Sequence, residues 1–284
     1  MRRIALALLA ASALSGVAVQ DSFAAEPPAT DWTGFYLGGN VGYSWGTDDV
    51  SVNGLAIEDF SLPANGSTSL KPTGFIGGVQ AGYNWEFAPH WVVGLETDFQ
   101  WTGQKNSATQ TATISSASCF GLGSPDCSVT GASGSANVTA KLDWLGTFRG
   151  RLGYVVDRAL VYGTGGLAYG HLQHSLAGSI AGTFFDSNSC EGGCNFGGSF
   201  AASNSAINVG WVLGAGVEGF LPNTNNWIWR VEYLYADLVI DHVTVPFNAS
   251  ATITGLGTTP ENGTFTYDTH FTDQIVRAAL SYRF

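Results

Sequence analysis

Apolar and polar residues alternate with a period of two along segments 34–45, 74–87, 91–101, 141–156, 159–175, 207–220, 227–240 and 270–284. In the last of these, Val276, Ala278, Leu280, Tyr282 and Phe284 fall on one side, and Ile275, Arg277, Ala279, Ser281 and Arg283 on the other. In 91–101, Trp91, Val93, Leu95, Phe99 and Trp101 oppose Glu96, Asp98 and Gln100; in 141–156, Leu142, Trp144, Phe148, Leu152 and Tyr154 oppose Asp143, Thr147, Arg149 and Arg151. Successive side chains of a strand point to opposite faces, so each pattern predicts a strand with one apolar side. The other side carries charge, the reverse of what a soluble core requires. The faces of 159–175 are not assigned by this pattern.

Connection lengths alternate as well. The links after 87, 156 and 220 are a few residues long, whereas 46–73, 102–140, 176–206 and 241–269 are long. Short turns on one rim and long loops on the other are the habit of transmembrane β-barrels, periplasmic and extracellular respectively. The predicted fold is therefore all-β: an eight-stranded antiparallel transmembrane β-barrel over 34–284 with four long extracellular loops. A soluble sandwich or barrel would also use short alternating strands. It would turn Trp and Tyr into a core, whereas here they gather near strand ends, as in an aromatic girdle at a membrane interface.

The N-terminal stretch supports export. Two arginines, an apolar run from Ile4 to about Val19, and small residues at Ser22 and Ala24 read as a secretory signal peptide, residues 1–24, cleaved before Ala25. Residues 25–33 then form a short periplasmic segment. No later segment reaches the roughly 20 apolar residues a membrane helix needs. With 11 Lys+Arg against 22 Asp+Glu the formal charge is −11, which excludes nucleic acid as a partner. Charged residues make up only 12 % of the chain, too few to coat a soluble surface.

The polar faces gather Glu86, Glu96, Asp98, Asp143, Arg149, Arg151, Glu218, Arg230, Glu232, Arg277 and Arg283 in the lumen. A ring this narrow encloses space only for side chains. Isolated charges there are costly, so the mixed signs predict a network of ion pairs plugging the barrel, with a charged constriction in a narrow pore as the alternative. Tyr43, Trp45, Trp85, Trp91, Trp101, Trp144, Trp227, Trp229, Tyr282 and Phe284 are the candidate girdle. Cys119 and Cys127 share one long loop, Cys190 and Cys194 another. Export favours disulfides, with the local pairings most economical and cross-loop pairing open. His171, His242 and His270 can meet at the extracellular rim, but no catalytic constellation and no cofactor is implied.

Several motifs resemble the small porin-like outer-membrane β-barrel proteins of alphaproteobacteria, related in architecture to the transmembrane domain of OmpA. They are Asp31–Tyr36 with Gly38–Asn40, Gly74–Gly78 through Gly82–Trp85, Trp144–Thr147 with Arg149–Tyr154, and Tyr162–Gly170. Gly214–Glu218, Arg230–Tyr235 and Tyr282–Phe284 complete the set. The resemblance implies an outer-membrane location, contact with membrane lipid and lipopolysaccharide, and assembly through recognition of the C-terminal strand by the barrel-assembly machinery. It also implies a structural or surface-antigen role, with a weak porin or a loop-borne binding function for haem, host or phage as alternatives. No catalytic or ligand residue carries over.

Overall fold

The computed structural model describes residues 31–57, 60–62, 66–118, 128–186, 190–253 and 257–284. Its elements are β1 (Gly34–Ile57), β2 (Phe60–Leu62), β3 (Gly66–Leu70), β4 (Thr73–Ala88), β5 (Trp91–Thr102), β6 (Lys105–Ser118), β7 (Ser128–Val156), β8 (Ala159–Asp186), β9 (Cys190–Phe220), β10 (Trp227–Ile253) and β11 (Gly257–Arg283). All pairings are antiparallel. β1 pairs with both β4 and β11, so β1, β4, β5, β7, β8, β9, β10 and β11 close into a ring. β2 and β3 fold back on β1, and β6 bridges β4 and β7.

This corrects the expected eight strands with four long loops: the described residues form eleven strands, eight of them closing the ring, and most of the described residues of the expected loops are strand. The segment 105–118 pairs with 128–141 from Lys105↔Lys141 to Ser118↔Ser128. β9 runs for 31 residues, about three times what a tilted strand needs to cross a bilayer. The expectation failed for a physical reason. Beyond the apolar belt both faces of a hairpin meet water, so no apolar face marks the period, and Ser, Thr, Gly and Asn read as loop composition. Cross-strand polar contacts hold these extensions, such as Ser107 to Thr139 at 2.8 Å.

The expectation of disulfides is corrected too. No disulfide is found among the described residues. Cys119 and Cys127 lie outside them, and Cys190 and Cys194 lie on one strand, β9. A strand rises about 3.3 Å per residue, whereas a disulfide needs Cα atoms within roughly 7 Å, so an extended strand does not favour pairing two of its own residues four apart. Residues 1–30, expected to hold the signal peptide, also lie outside the described residues.

At the opposite end the turns are tight. His90, Asp157 and Asn223 each adopt a positive φ, 70°, 57° and 61°, the left-handed conformation that short polar residues tolerate best. Outward side chains between the two ends are apolar and exposed: Phe35, Phe75, Val79, Leu95, Phe148, Leu213 and Val231 among them, with Phe75 76 % exposed. On β5, Trp91 and Trp101 bracket that belt. Ten residues at about 3.3 Å each, tilted by about 40°, rise about 25 Å, the height of the apolar band of an outer-membrane barrel.

The interior is layered. Nearest the tight turns, Trp32, Val92, Val155, Leu160, Tyr162, Phe220 and Ile228 form an apolar cluster. A charged layer follows, then a larger apolar cluster that includes Ile76, Leu142, Leu145, Val212, Leu234, Leu238, Phe271 and Ile275. Strand order fixes this succession: β10 passes Ile228, then Arg230 and Glu232, then Leu234 and Leu238. Leu142 and Asp143 depart from the alternation. The β7–β8 register breaks between Leu142 and Trp144, which turns Leu142 inward at 1 % exposure and moves Asp143 to the rim. One extra residue in a strand shifts every later side chain to the other face.

Candidate functional site

Eight charged side chains, all essentially buried, meet in the middle layer. Arg149 contacts Glu96, Asp98 at 2.9 Å and Glu232 at 2.9 Å. Arg277 contacts Asp98 at 2.9 Å and Glu232 at 2.6 Å. Arg230 pairs with Glu96 and with Glu218 at 2.7 Å, and Arg151 reaches Glu218 at 2.7 Å. Four carboxylates thus face four guanidiniums, and the layer is formally neutral. The planar, forked guanidinium lets one arginine serve carboxylates on two or three different strands, which a lysine cannot do as well.

Two tyrosines complete the layer, and alternation alone does not single them out. The Tyr36 hydroxyl donates to Glu96 and accepts from Arg151 at 3.3 Å. The Tyr162 hydroxyl donates to Glu232 at 2.8 Å, and the Arg151 guanidinium lies 4.0 Å from the Tyr162 ring centre. The remaining three residues of the expected network lie elsewhere. Glu86 accepts from the Trp32 backbone N–H at 3.2 Å, tying the N-terminal segment to the base. Arg283 donates to the Asn225 carbonyl at 3.1 Å and lies over Phe220. Asp143 pairs with Lys141 and His171 at the opposite rim.

Further buried polar sets follow toward the long end. Gln104 joins Ser44 to Asp273, and Asp48 accepts from Thr269 at 2.6 Å and meets His174 at 2.8 Å. Gln104, Asp48 and Thr269 lie in stretches expected to be loop, so their inward direction was not legible, whereas Ser44, His174 and Asp273 lie near the ends of expected strands. Of the rim histidines, His171 sits 2.9 Å from Asp143 and His270 2.9 Å from Asp237, two separate pairs; the His242 side chain is not described. Among the described residues no group of three or more His, Cys, Asp or Glu is placed to hold a metal ion.

The candidate girdle residues fall at two levels. Trp85, Trp91, Trp227, Trp229, Tyr282 and Phe284 are exposed toward the tight turns, and Trp45 and Trp101, with half-buried Tyr43 and Trp144, toward the long end. Register aligns them: Trp91 faces Tyr154, Trp101 faces Trp144, and Trp227 faces Tyr282.

The family model of the outer membrane protein beta-barrel domain matches residues 4–284. This chain belongs to that family. It is 34 % identical over 251 residues to a 31 kDa outer-membrane immunogenic protein of Brucella melitensis, spanning 84 % of this chain and 88 % of the relative. It is 31 % identical over 210 residues to a 22 kDa outer membrane protein of Rhizobium leguminosarum, spanning 74 % of this chain and 66 % of that one. The crystal structure of the outer membrane protein OprG from Pseudomonas aeruginosa aligns over 89 % of this chain and 96 % of its own, at 12 % identity and a TM-score of 0.35, too loose a likeness to carry an argument. Family membership places the protein in the outer membrane of a Gram-negative bacterium, as a structural β-barrel protein.

Proposed function

We propose that this protein is a closed structural barrel that strengthens the outer membrane and displays its extended strands at the cell surface. The carrying observation is the layered interior: the neutral ion-pair layer is capped on both sides by apolar clusters. Beside both clusters the lumen is filled by buried polar side chains bonded to one another, Gln80 to Ser281 at 3.1 Å and Gln104 to Ser44 and Asp273, so a solute meets packed side chains at every level. The charge network is then a brace between strands, tying β5, β7, β9, β10 and β11 together across the interior. The narrow-porin reading is disfavoured on the same ground.

The rest of the reading follows from the fold and the family. Residues 1–24 act as the signal peptide, and the tight turns face the periplasm with the long strand extensions outside. The two aromatic levels act as the girdle, in contact with lipid and lipopolysaccharide. Strand β11, with Val276, Leu280 and Tyr282 on its lipid face and Phe284 directly after it, is the segment the barrel-assembly machinery engages. Relatives named as immunogenic outer-membrane proteins support surface display of the extensions. Planar-bilayer recording of the folded, heat-modifiable protein tests the closure. The expected trace has no conductance steps; reproducible unitary steps sink the closed-barrel reading.

A further inference from the structure

The chain contains three lysines, Lys71, Lys105 and Lys141, and the fold brings all three to one side of the ring. Lys105 and Lys141 are register partners across β6 and β7, and Lys105 opens β6 directly opposite Thr73 of β4, two residues from Lys71. Directly opposed residues of an antiparallel pair issue from the same face with Cβ atoms about 5 Å apart, and like charges placed so repel. Lys71 and Lys105 are exposed, and Lys141 keeps 44 % of its side-chain surface. Asp143 offsets one of these charges, and exposed Asp49, register partner of Ser69 two residues before Lys71, offsets at most one more. The patch is left net positive on an acidic protein.

Depth makes the arrangement informative. Lys105 stands four residues beyond Trp101, Lys141 three before Trp144, and Lys71 four before Phe75. All three lie just past the long-end aromatic level, where a lipid headgroup meets the belt. Elsewhere, the described arginines are committed to the interior, as with Arg149, Arg151, Arg230 and Arg277, or lie at the tight-turn end, as with Arg158 and Arg283. We infer that Lys71, Lys105 and Lys141 form a binding site for a phosphorylated glycolipid headgroup of the outer leaflet. The phosphates lie between the lysines, relieving the Lys105–Lys141 repulsion, and the acyl chains descend along Phe75, Phe99 and Trp101. Continuity with the apolar belt favours a lipid over free phosphate. The inference rests on the orientation proposed above, with the long strands outside.

The test is native mass spectrometry of the folded full-length protein in neutral detergent with bisphosphorylated lipid A, the same lipid with its phosphates removed, and inorganic phosphate as competitor. Wild type is expected to retain the bisphosphorylated lipid preferentially. Each Lys→Gln change should weaken retention on the order of fivefold, the effect of one basic residue at an anionic membrane surface, and K71Q/K105Q/K141Q should abolish the preference. Arg158→Gln, at the other end, should leave it intact. Wild-type retention by the triple variant, equal retention of the dephosphorylated lipid, or full displacement by inorganic phosphate overturns the site. If the triple variant does not fold, K105Q alone carries the same test. A peptide tag inserted between Ser118 and Ser128 and probed on intact cells separates the two readings: an inaccessible tag refutes the orientation, whatever lipid A does.

Discussion

Replacing Arg149 by methionine removes a guanidinium that three carboxylates share. Arg149 is fully buried and also donates to Thr147 at 3.0 Å. Its loss leaves Glu96, Asp98, Glu218 and Glu232 facing Arg151, Arg230 and Arg277, one buried negative charge in excess. Breaking a buried pair by removing one partner costs about 3–5 kcal/mol, because the remaining charge has neither water nor partner. Arg277 still holds Asp98 and Glu232, and Arg230 still holds Glu96, so the expected cost is near the lower end, about 3 kcal/mol. Glu96→Gln in the same chain restores the charge balance. The double variant should therefore be more stable than the sum of the single losses by about 1 kcal/mol or more. Urea unfolding from lipid vesicles, followed by tryptophan fluorescence and by gel mobility of unboiled samples, gives all three values. A cost below about 1 kcal/mol for R149M, or strict additivity with E96Q, refutes the account of the layer as a mutually compensated network.

Three other expectations follow from particular contacts. A Cβ on Gly78 would meet the Phe99 carbonyl at 2.0 Å and Gln100 Cα at 2.7 Å, whereas one on Gly77 meets nothing nearer than 3.4 Å. Gly78→Ala should cost about 1–3 kcal/mol in urea unfolding and Gly77→Ala should be neutral or slightly stabilising; equal effects contradict the close strand approach at Gly78. Trp32 is fully buried with its ring 4.7 Å from Phe220, so Trp32→Ala should cost about 3–5 kcal/mol and speed unfolding, and an unchanged urea midpoint would mean that the N-terminal segment does not plug the base. At the long-end rim, beyond Trp144, the hydrogen bond from Lys141 holds the Asp143 carboxyl below the ordinary aspartate range, with burial opposing and His171 adding. A depressed folded pKa contributes stability above the unfolded value of about 3.9 and loses it as pH falls through the folded one. Carboxyl-carbon NMR should show the low midpoint, and Lys141→Gln should raise it; a midpoint that does not move removes Lys141 as the cause.

The sequence alone determined what depends on local alternation. Within the membrane each strand has lipid on one side and the interior on the other, so a period of two is imposed on every residue. That is why Trp91 through Trp101 and Val276 through Phe284 read directly as strands with known faces. It is also why Glu96, Asp98, Arg149, Arg151, Glu218, Arg230, Glu232 and Arg277 could be placed inside. Beyond the apolar belt that constraint vanishes, and the paired extensions of β6 to β11 carry only short alternating runs, such as Thr111–Ile114 and Asn137–Thr139, too brief to fix their length or register.

Tertiary structure decided what depends on register and closure. The bulge after Leu142 exchanged the sides of Leu142 and Asp143, and no local pattern announces one extra residue in a strand. Which carboxylate meets which arginine was settled by the vertical stagger of strands distant in sequence, and the same stagger brought the hydroxyls of Tyr36 and Tyr162 into the layer. It also set three lysines, spread over some seventy residues of chain, side by side at one depth. Alternation fixes a residue's face, but its neighbours across the ring exist only once the ring has closed.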